Sequence, residues 1–446
     1  MVSQLQTDQD CPHCQRPCVQ VPTTVVCPYC HTAYHAECWE SQHGCATADC
    51  PGRAGTPLPV ISEQETARRP VDAAPPPNRA WAICVGVVLL LIAGFSLAKW
   101  LGVSTNHLLV FGVVLAALGF DFVNGMNDSG NAIATVISTR ALSPLSALFM
   151  AAVLNFVGAL LMEGVAKSIA GKIVGHAGAG MLDVTPLMIL CGLLGAIGWA
   201  YMMARIGLPI SMSHSLIGGL VGVLLLAGIS LNYSYLGEIL GWMILAPVLG
   251  ISFGWLLMVA IMWIFRNVAP YKMNKHFRVW QVVSSGLMAF SHGANDAQKA
   301  MGIITLALVS GGVLHVAQGS DPHIPIWVKL ACATVIALGT GLGGKKVIGT
   351  LGHKIFKLTP VHGFAAETVA AATIQLATAM HVPISTTHVI SSSILGVGSS
   401  KRLSAVRWGV AGNIITAWVF TIPTCGVAAA ILYAIVRAAG APFGLH

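Results

Sequence analysis

Two matching groups of polar residues interrupt long apolar stretches of the chain. Residues 121–132 read DFVNGMNDSGNA, and residues 290–301 read FSHGANDAQKAM. Both contain Gly-x-Asn-Asp, which ends at Asp128 in the first stretch and at Asp296 in the second. An ionisable side chain at bilayer depth costs roughly 2.5–3.5 kcal/mol on insertion scales, so it usually marks a functional site. The two contexts predict a duplicated unit around a polar site, with a pair of structural polar kinks as the alternative.

A second pair of motifs follows the same order, PISMSH at residues 209–214 and PISTTH at residues 383–388. Proline suits the first turn of a helix, and serine or threonine suits the N-cap. A helix N-terminus inside the membrane presents free N–H groups and a positive dipole end, and neighbouring hydroxyls add donors. The pattern predicts an oxyanion site, with plain helix caps as the alternative. Its candidate ligands are Ser211, Ser213, Ser385, Thr386 and Thr387.

The acidic residues near the motifs fall into two groups, candidates for cation binding and one residue interpreted as structural. Asp128 and Asp296 only accept hydrogen bonds when ionised, so they suit a coupling cation or a transported proton rather than an anion. Glu367 lies mid-span and is a third candidate, and its expected counterpart in the first half is Asn155. Asp121 lies close to the first motif and is interpreted as structural.

The remaining polar side chains near the motifs supply further candidates. Lys299 can pair with Asp296 or with an anion, and together with the amides of Asn127 and Asn295 it forms an alternative anion site. Three histidines are candidate proton carriers, although each can equally be satisfied by a neighbouring helix. They are His214, His388 and His292, the last of which is grouped with the coupling carboxylates.

Composition identifies the class of protein. Of 446 residues, 55% are hydrophobic and 9% are charged, whereas soluble proteins have about 25% charged residues. The chain is therefore predicted to be an all-α polytopic membrane protein. The expected apolar spans are 81–100, 108–139, 143–163, 186–205, 207–229, 240–265, 279–312, 326–344, 362–380, 382–398 and 407–436. The two motif spans exceed the roughly 20 residues of one crossing, so each is predicted to consist of two half-helices broken at Asn-Asp.

The positions of lysine and arginine predict orientation. They place the N-terminus in the cytoplasm and make the two halves inverted repeats with broken helices or hairpins, as in many secondary transporters. This count changes if spans 207–229 and 382–398 are re-entrant hairpins. The net charge of +8 is not interpreted as a nucleic-acid footprint, and no GxxxxGK[ST] loop supports drive by ATP.

The first 50 residues form a separate unit that holds eight of the twelve cysteines. Four ligand pairs, enough for two tetrahedral zinc sites, recur as Cys11-x2-Cys14, Cys27-x2-Cys30, His35-x2-Cys38 and Cys45-x4-Cys50. So small a unit needs metal ions to fold. We expect zinc rather than disulfides, because no signal peptide precedes the segment.

The segments CPYCHTAYHAECW and GCATADC resemble RING-type zinc fingers, in particular the prokaryotic RING-like family with its treble-clef ligand order. The resemblance implies a cross-brace and an interaction module with an unknown protein partner. One zinc ion would be held by Cys11, Cys14, His35 and Cys38, and the other by Cys27, Cys30, Cys45 and Cys50.

Residues 107–436 resemble the inorganic phosphate transporter (PiT) family of the low-affinity bacterial type, because both GxND motifs and both P-I-S-x-[ST]-H motifs occur in order. The resemblance implies import of inorganic phosphate, or of a metal–phosphate complex, by cation symport in a homodimer. It assigns the coupling cation to Asp128, Asp296 and Glu367, and phosphate to the hydroxyl caps. Asn155 stands where sodium-coupled members place a glutamate, which favours the proton over sodium.

These interpretations give a domain plan and three rival functions. The plan comprises a RING-like zinc-binding domain (1–50), a Pro-rich disordered linker (51–80), an extra transmembrane helix (81–101), repeat 1 (107–265) and repeat 2 (279–436). We expect a multi-pass protein of the cell (inner) membrane that is not an enzyme and has two zinc ions but no organic cofactor. The rivals to a phosphate symporter are a sulfate or other oxyanion permease of the same fold and a membrane-anchored RING-like interaction protein.

Overall fold

The computed structural model describes two units separately. Met1–Leu91 forms one and Ile92–His446 the other. The described residues are 11, 14, 24–26, 33–41 and 45 in the first unit, and 102–173, 184–316 and 322–440 in the second. The predicted linker, the predicted extra span at 81–101, and Cys27, Cys30 and Cys50 lie outside them.

The described part of the first unit is a β-hairpin followed by a short helix. Strand β1 (Thr24–Val26) pairs antiparallel with β2 (Ala33–His35), and α1 (Ala36–Ser41) follows directly. Trp39 of this helix packs edge-on against Tyr34, with ring centroids 5.2 Å apart. The turn from strand to helix therefore brings His35 and the first turn of α1 to one end of the hairpin.

The second unit is helical throughout its described residues, and two runs of helices follow the same order. The first run comprises α2 (Thr105–Ser138), α3 (Pro144–Leu161), α4 (Gly164–Lys172), α5 (Pro186–Ile206), α6 (Met212–Ala227) and α7 (Tyr233–Ile264). The second comprises α8 (Pro270–Ser310), α9 (Ile326–Leu342), α10 (Lys345–Gly349) with a π-helical turn (Thr350–Lys354), α11 (Pro360–Ala379), α12 (Thr386–Lys401), a 3₁₀ turn (Leu403–Ala405) and α13 (Trp408–Gly440). The predicted spans after residue 101 each overlap one of these helices.

Among the described helices, five are long and apolar enough to cross a membrane, or six if α9 and the bent segment after it count as one span. They are α2, α3, α5, α7 and α13. The sixth, α9 with residues 346–354, bends by 61° at its break. The short helices α4 and α10 were not predicted from hydropathy, because they are brief and carry lysines.

The two motif helices are continuous, so the prediction that each breaks at Asn-Asp is wrong. Helix α2 runs for 34 residues and α8 for 41 without interruption. Several of their polar side chains, Asp128, His292 and Asn295 among them, find partners on neighbouring helices, and the backbone of both helices stays regular. The chain breaks instead before the two cap motifs, where α5 ends at a left-handed Gly207 and an extended segment leads to Ser211.

The two motif helices lie antiparallel. The Ser285 hydroxyl donates to the Ala132 carbonyl at 2.6 Å, and the Thr139 hydroxyl donates to Gln281 Oε1 at 2.7 Å. Residue numbers therefore rise along α2 as they fall along α8. The motifs of the two helices thus meet across the same interface.

Motif glycines set how closely each motif helix packs on a helix of the other run. A Cβ on Gly125 would lie 2.3 Å from the Ile336 carbonyl oxygen, and one on Gly293 would lie 2.2 Å from the Asn155 carbonyl oxygen. Asn155 therefore occupies the position that Ile336 occupies in the other run. The expected correspondence between Asn155 and Glu367 is wrong, because Glu367 lies on α11, whose place in the first run is taken by α5.

The polar motifs lie between two hydrophobic clusters. The first cluster takes in residues 110–120 of α2 and 297–308 of α8, and the second takes in residues 132–136 of α2 and 277–289 of α8. Each motif helix therefore contributes one end to each cluster. The stretch between those ends carries the Asn-Asp side chains.

Candidate functional site

Two buried carboxylates and a histidine form the centre of the site. Asp128 and Asp296 are at most 3% exposed and His292 is fully buried. His292 Nε2 lies 3.8 Å from Asp128 Oδ2 and 3.4 Å from Asp296 Oδ2. One ligand atom from each of the three lies within 4.8 Å of the others, close enough to share one cation. The structure thus brings together three of the four residues predicted for cation coupling.

Lys299 supplies the fixed positive charge of this centre. Its Nζ donates to Asp296 Oδ1 at 2.6 Å and to the Ile384 carbonyl at 3.0 Å. One lysine faces two carboxylates, and a buried charge without a partner is strongly unfavourable. A further positive charge, as a bound cation or a proton, would balance the centre.

The second cap motif sits directly on the carboxylates. The Thr386 hydroxyl lies 3.3 Å from one oxygen of Asp128 and 3.3 Å from one oxygen of Asp296. The Thr387 hydroxyl lies 3.3 Å from both oxygens of Asp128. Asn131 Nδ2 donates to the two threonine hydroxyls at 3.3 and 3.0 Å. The first turn of α12 therefore faces the two carboxylates that were predicted to bind a cation.

Both cap serines act as N-caps of their own helices. Ser211 accepts the His214 N–H at 3.2 Å, and Ser385 accepts the His388 N–H at 3.2 Å. The prediction of two capped helix starts is therefore confirmed. Each cap satisfies one N–H of the first turn, and the first two helical N–H groups have no acceptor within their helix.

The two helix starts converge. The Ser213 hydroxyl of α6 donates to the Ile384 carbonyl at 2.7 Å, the same carbonyl that Lys299 contacts. The rings of His214 and His388 meet edge to face with centroids 4.4 Å apart. One compact region therefore holds both caps, the lysine and the carboxylate pair.

Asn155 has a direct role in the centre. Its Oδ1 lies 2.9 Å from His292 Nδ1, and its Nδ2 donates to Thr340 Oγ1 at 2.8 Å. The Thr340 hydroxyl donates to the Ile336 carbonyl, so it accepts from the Asn155 amide. Asn155 Oδ1 is then an acceptor and His292 Nδ1 carries the hydrogen, so Nε2 is the ring nitrogen that can gain or lose a proton beside the carboxylates. An isolated amide in an apolar span was the available sequence signal.

The two motif asparagines differ in their contacts. Asn295 donates to Thr378 at 2.9 Å and accepts the Ile384 N–H at 3.4 Å, so it braces the segment before α12. Asn127 Nδ2 faces Met212 Sδ at 4.0 Å, and its carbonyl oxygen has no hydrogen-bond partner among the described residues. Of these two asparagines, Asn127 is the one with an uncommitted amide oxygen.

Glu367 lies apart from the centre. The fully buried carboxylate accepts hydrogen bonds from Thr135 and, at 2.5 Å, from Ser284. Thr135 follows Asp128 by seven residues on α2, which corresponds to about 10 Å along the helix axis. The structure therefore assigns Glu367 to a second polar cluster rather than to the Asp128–Asp296 pair.

In the first unit, three of the four described cysteines form a cluster with His35. The ligand atoms of Cys11, Cys14, His35 and Cys38 all lie within 4.8 Å of one another, with Cys14 Sγ 3.3 Å from His35 Nδ1. Three thiols and an imidazole at this spacing fit a tetrahedral zinc site. Cys45, predicted for the second site, is buried 3.2 Å from the Tyr34 hydroxyl.

Comparison with known proteins identifies the family of the chain. Residues 124–429 match the model of the Phosphate transporter family. The "Probable low-affinity inorganic phosphate transporter" of Bacillus subtilis (strain 168) is 45% identical over 327 residues, which cover 73% of this chain and 96% of the relative. The protein of the same name from Rhizobium meliloti (strain 1021) is 43% identical over 330 residues, with the same coverages.

A solved structure shares the fold. It is titled "The sodium-dependent phosphate transporter" and is 25% identical, with a TM-score of 0.65 over 74% of this chain and 99% of that one. With its several membrane-spanning helices, the present chain is a multi-pass membrane protein. The length and identity of these matches show that the chain belongs to the phosphate transporter family.

Proposed function

We propose that the chain imports inorganic phosphate, alone or as a metal–phosphate complex, by symport with a cation, and that this cation is the proton. The observation that carries the proposal is the Thr386 hydroxyl, 3.3 Å from the carboxylates of both Asp128 and Asp296. A helix end suited to an anion thus shares one site with carboxylates suited to a cation.

This arrangement links the two ligands electrostatically. Phosphate at the start of α12 would be repelled by two carboxylates with only Lys299 to offset them. A cation bound between Asp128 and Asp296 removes that repulsion, so each ligand strengthens the binding of the other. Anion and cation are then bound together, which is the requirement for symport.

The phosphate donors come from both helix starts. They are the free first-turn N–H groups of α6 and α12, the ammonium of Lys299 and the hydroxyls of Ser211, Ser213, Ser385, Thr386 and Thr387. Together they can replace the hydration that phosphate loses in the membrane. Asn127 adds its Nδ2 donor, which among the described residues contacts only Met212 Sδ at 4.0 Å, whereas Asn295 supports the cap segment.

The donor set of the cation site favours a proton. An imidazole stands between the two carboxylates, and histidine is the side chain whose charge changes near neutral pH. Hard cations prefer oxygen ligands. Glu367, whose carboxylate accepts a hydrogen bond from Thr135, is proposed as a further binding site for the proton. Sodium is the competing cation, because the solved relative is named sodium-dependent.

The antiparallel α2 and α8 and their matching glycine contacts support two inverted repeats as the framework for alternating access. The lysine and arginine distribution supports a cytoplasmic N-terminus. The family resemblance supports a homodimer.

The N-terminal unit is proposed to be a zinc-binding, RING-like interaction module. The Cys11, Cys14, His35 and Cys38 cluster supports the first site. Such a module would bind a protein partner and take no part in the transport reaction. A protein that used its membrane part only as an anchor would not need the assembled site around Asp128.

The test is uptake of labelled phosphate by proteoliposomes under imposed gradients. We expect accumulation when the outside is acidic and none when only sodium is graded. Excess sulfate should leave uptake unchanged, and inhibition by sulfate would favour a general oxyanion permease. Thr386→Val should raise the half-saturating phosphate concentration about five- to 150-fold, as expected for one lost buried hydrogen bond. A parent protein that moves no phosphate under either gradient would refute the proposal.

A further inference from the structure

Asp121 is a buried acid that the proposed site does not use. It is fully buried on α2, and neither carboxyl oxygen has a hydrogen-bond partner among the described residues. One turn further along, Asn124 is also fully buried, with both amide atoms unpartnered in the same sense. Two adjacent unsatisfied polar side chains are unusual in a folded interior and require an explanation.

Asp121 belongs to a polar stripe that leads to the centre. Asp121, Asn124, Asp128, Asn131 and Thr135 are spaced by three, four, three and four residues, which places them on one face of α2. All are at most 3% exposed. Asp121 precedes Asp128 by seven residues, about 10 Å along the axis. Asp121 and Thr135, the partner of Glu367, therefore lie on opposite sides of the central carboxylate.

The duplication does not account for Asp121. When Asp128 is aligned with Asp296, the position of Asp121 falls on Ala289 of α8, which is also fully buried. In the other run, an alanine is therefore enough to fill this buried helix position. The acid is a specific feature of α2.

The surroundings of Asp121 suit a proton. Its polar neighbour on α9 is the Cys332 thiol, and the charged groups that act on it, Asp296, His292 and Lys299, all belong to α8. None of them forms an ion pair with it, and an ionised carboxylate without a partner is strongly disfavoured there. The neutral acid needs no counter-charge, because protonation removes the negative charge and leaves one O–H donor. Hard divalent cations take about six oxygen ligands, whereas the side chains of Asp121 and Asn124 offer three.

We propose that Asp121 is a second proton-binding site of the transport cycle. In the buried arrangement the carboxyl carries the proton. When this face of α2 opens to water, the O–H bond breaks, the proton leaves to water, and the carboxylate keeps the electron pair and the negative charge. Return to the buried arrangement then requires a proton to bind again. This inference rests on the proposed proton symport and adds one proton-carrying group to it.

The test compares the full chain with Asp121→Asn in proteoliposomes that contain a pH-sensitive dye. Phosphate exchange without a gradient reports binding and translocation, whereas accumulation under a pH gradient and protons moved per phosphate report coupling. The variant should keep exchange near the parent rate, move fewer protons per phosphate, and lose about tenfold or more of its gradient-driven accumulation, within the usual range of coupling between sites. Cys332→Ala, which removes the neighbouring thiol and keeps the acid, should behave as the parent.

Three results would overturn the proposal. The first is unchanged proton movement and accumulation in Asp121→Asn. The second is equal loss of exchange and accumulation, which would place Asp121 in the phosphate site or the fold. The third is phosphate uptake by the parent that is driven by a sodium gradient and not by a proton gradient. That result would refute the proton site at Asp121 but not the proposed transport of phosphate. If Asp121→Asn does not reach the membrane, Asp121→Glu decides: a proton-binding acid displaced by one methylene should shift the pH dependence of uptake, and an unchanged profile counts against the site.

Discussion

Asp128 and Asp296 occupy matching positions in the two motifs but differ in charge compensation. Asp296 pairs with Lys299 three residues later, whereas the residue in that place after Asp128 is Asn131. Asn131 reaches Asp128 only through the threonine hydroxyls that it contacts. Asp296 is therefore already neutralised within the protein. Asp128 is the carboxylate that is left for the proposed coupling cation.

This asymmetry predicts a non-additive double-mutant cycle. Lys299→Gln leaves two buried carboxylates uncompensated and should destabilise the protein by about 3–5 kcal/mol, the usual cost of removing one partner of a buried pair. Adding Asp296→Asn removes the surplus charge, so the double variant should be more stable than Lys299→Gln alone. Thermal melting in detergent measures both. Additive losses would show that Lys299 and Asp296 are not energetically coupled.

At the scale of helices, the sequence predicted most elements because their signals are local. Proline and serine before Met212 and Thr386 mark the helix starts, and hydropathy marks the spans. The continuity of α2 and α8 was not predictable in this way. It depends on partners that are remote in sequence, such as Thr386 for Asp128. The contact between Asn155 and His292, which joins α3 to α8, was missed for the same reason.

The close packing of the motif helices predicts which glycines accept a side chain. Gly125→Ala and Gly293→Ala would each place a Cβ against a carbonyl of α9 or α3, so both should lower the melting temperature. Backbone cannot move aside as a flexible side chain can, and overpacking typically costs about 1–3 kcal/mol. Gly119 is the matched control on α2, since a Cβ there meets nothing within 4 Å. Gly119→Ala should be neutral or stabilise the helix by up to about 1 kcal/mol.

If Gly125→Ala and Gly119→Ala melt at the same temperature, the close approach of α2 to α9 is not a constraint on the fold. If Gly293→Ala alone is tolerated, α3 can shift where α9 cannot. In that case the shift of α3 should weaken the contact from Asn155 to His292. Transport by this variant would then lose its pH dependence before it loses stability.

At the scale of the molecule, the polar groups form one seam between two apolar clusters. Asp121, the Asp128–Asp296 centre and Glu367 are met in turn along the interface of α2 and α8. Each end of the seam is enclosed by a different hydrophobic cluster. Rearrangement of one cluster against the other would therefore open the seam from one end at a time. In the proposed transporter, opening the seam first at one end and then at the other would give alternating access.

No described residue of the N-terminal unit belongs to the Asp128–Asp296 centre, which leads to a prediction about metal and transport together. The full chain should carry about two zinc ions, because the cysteine and histidine pairs supply ligands for two tetrahedral sites. Cys38→Ser should lower the zinc content to about one ion, since a hydroxyl is a poor substitute for a thiolate ligand. Cys191→Ser is the matched control, a buried cysteine of α5 outside the cluster, and should leave zinc content unchanged.

Phosphate uptake by both variants, and by a chain that lacks residues 1–78, should match the parent, because the Asp128–Asp296 centre is built entirely from helices after residue 104. Metal analysis of the purified protein and uptake by proteoliposomes measure the two properties separately. A truncated chain that inserts normally but moves no phosphate would show that the N-terminal unit controls the transporter. Unchanged zinc in Cys38→Ser would remove Cys38 from the proposed first site.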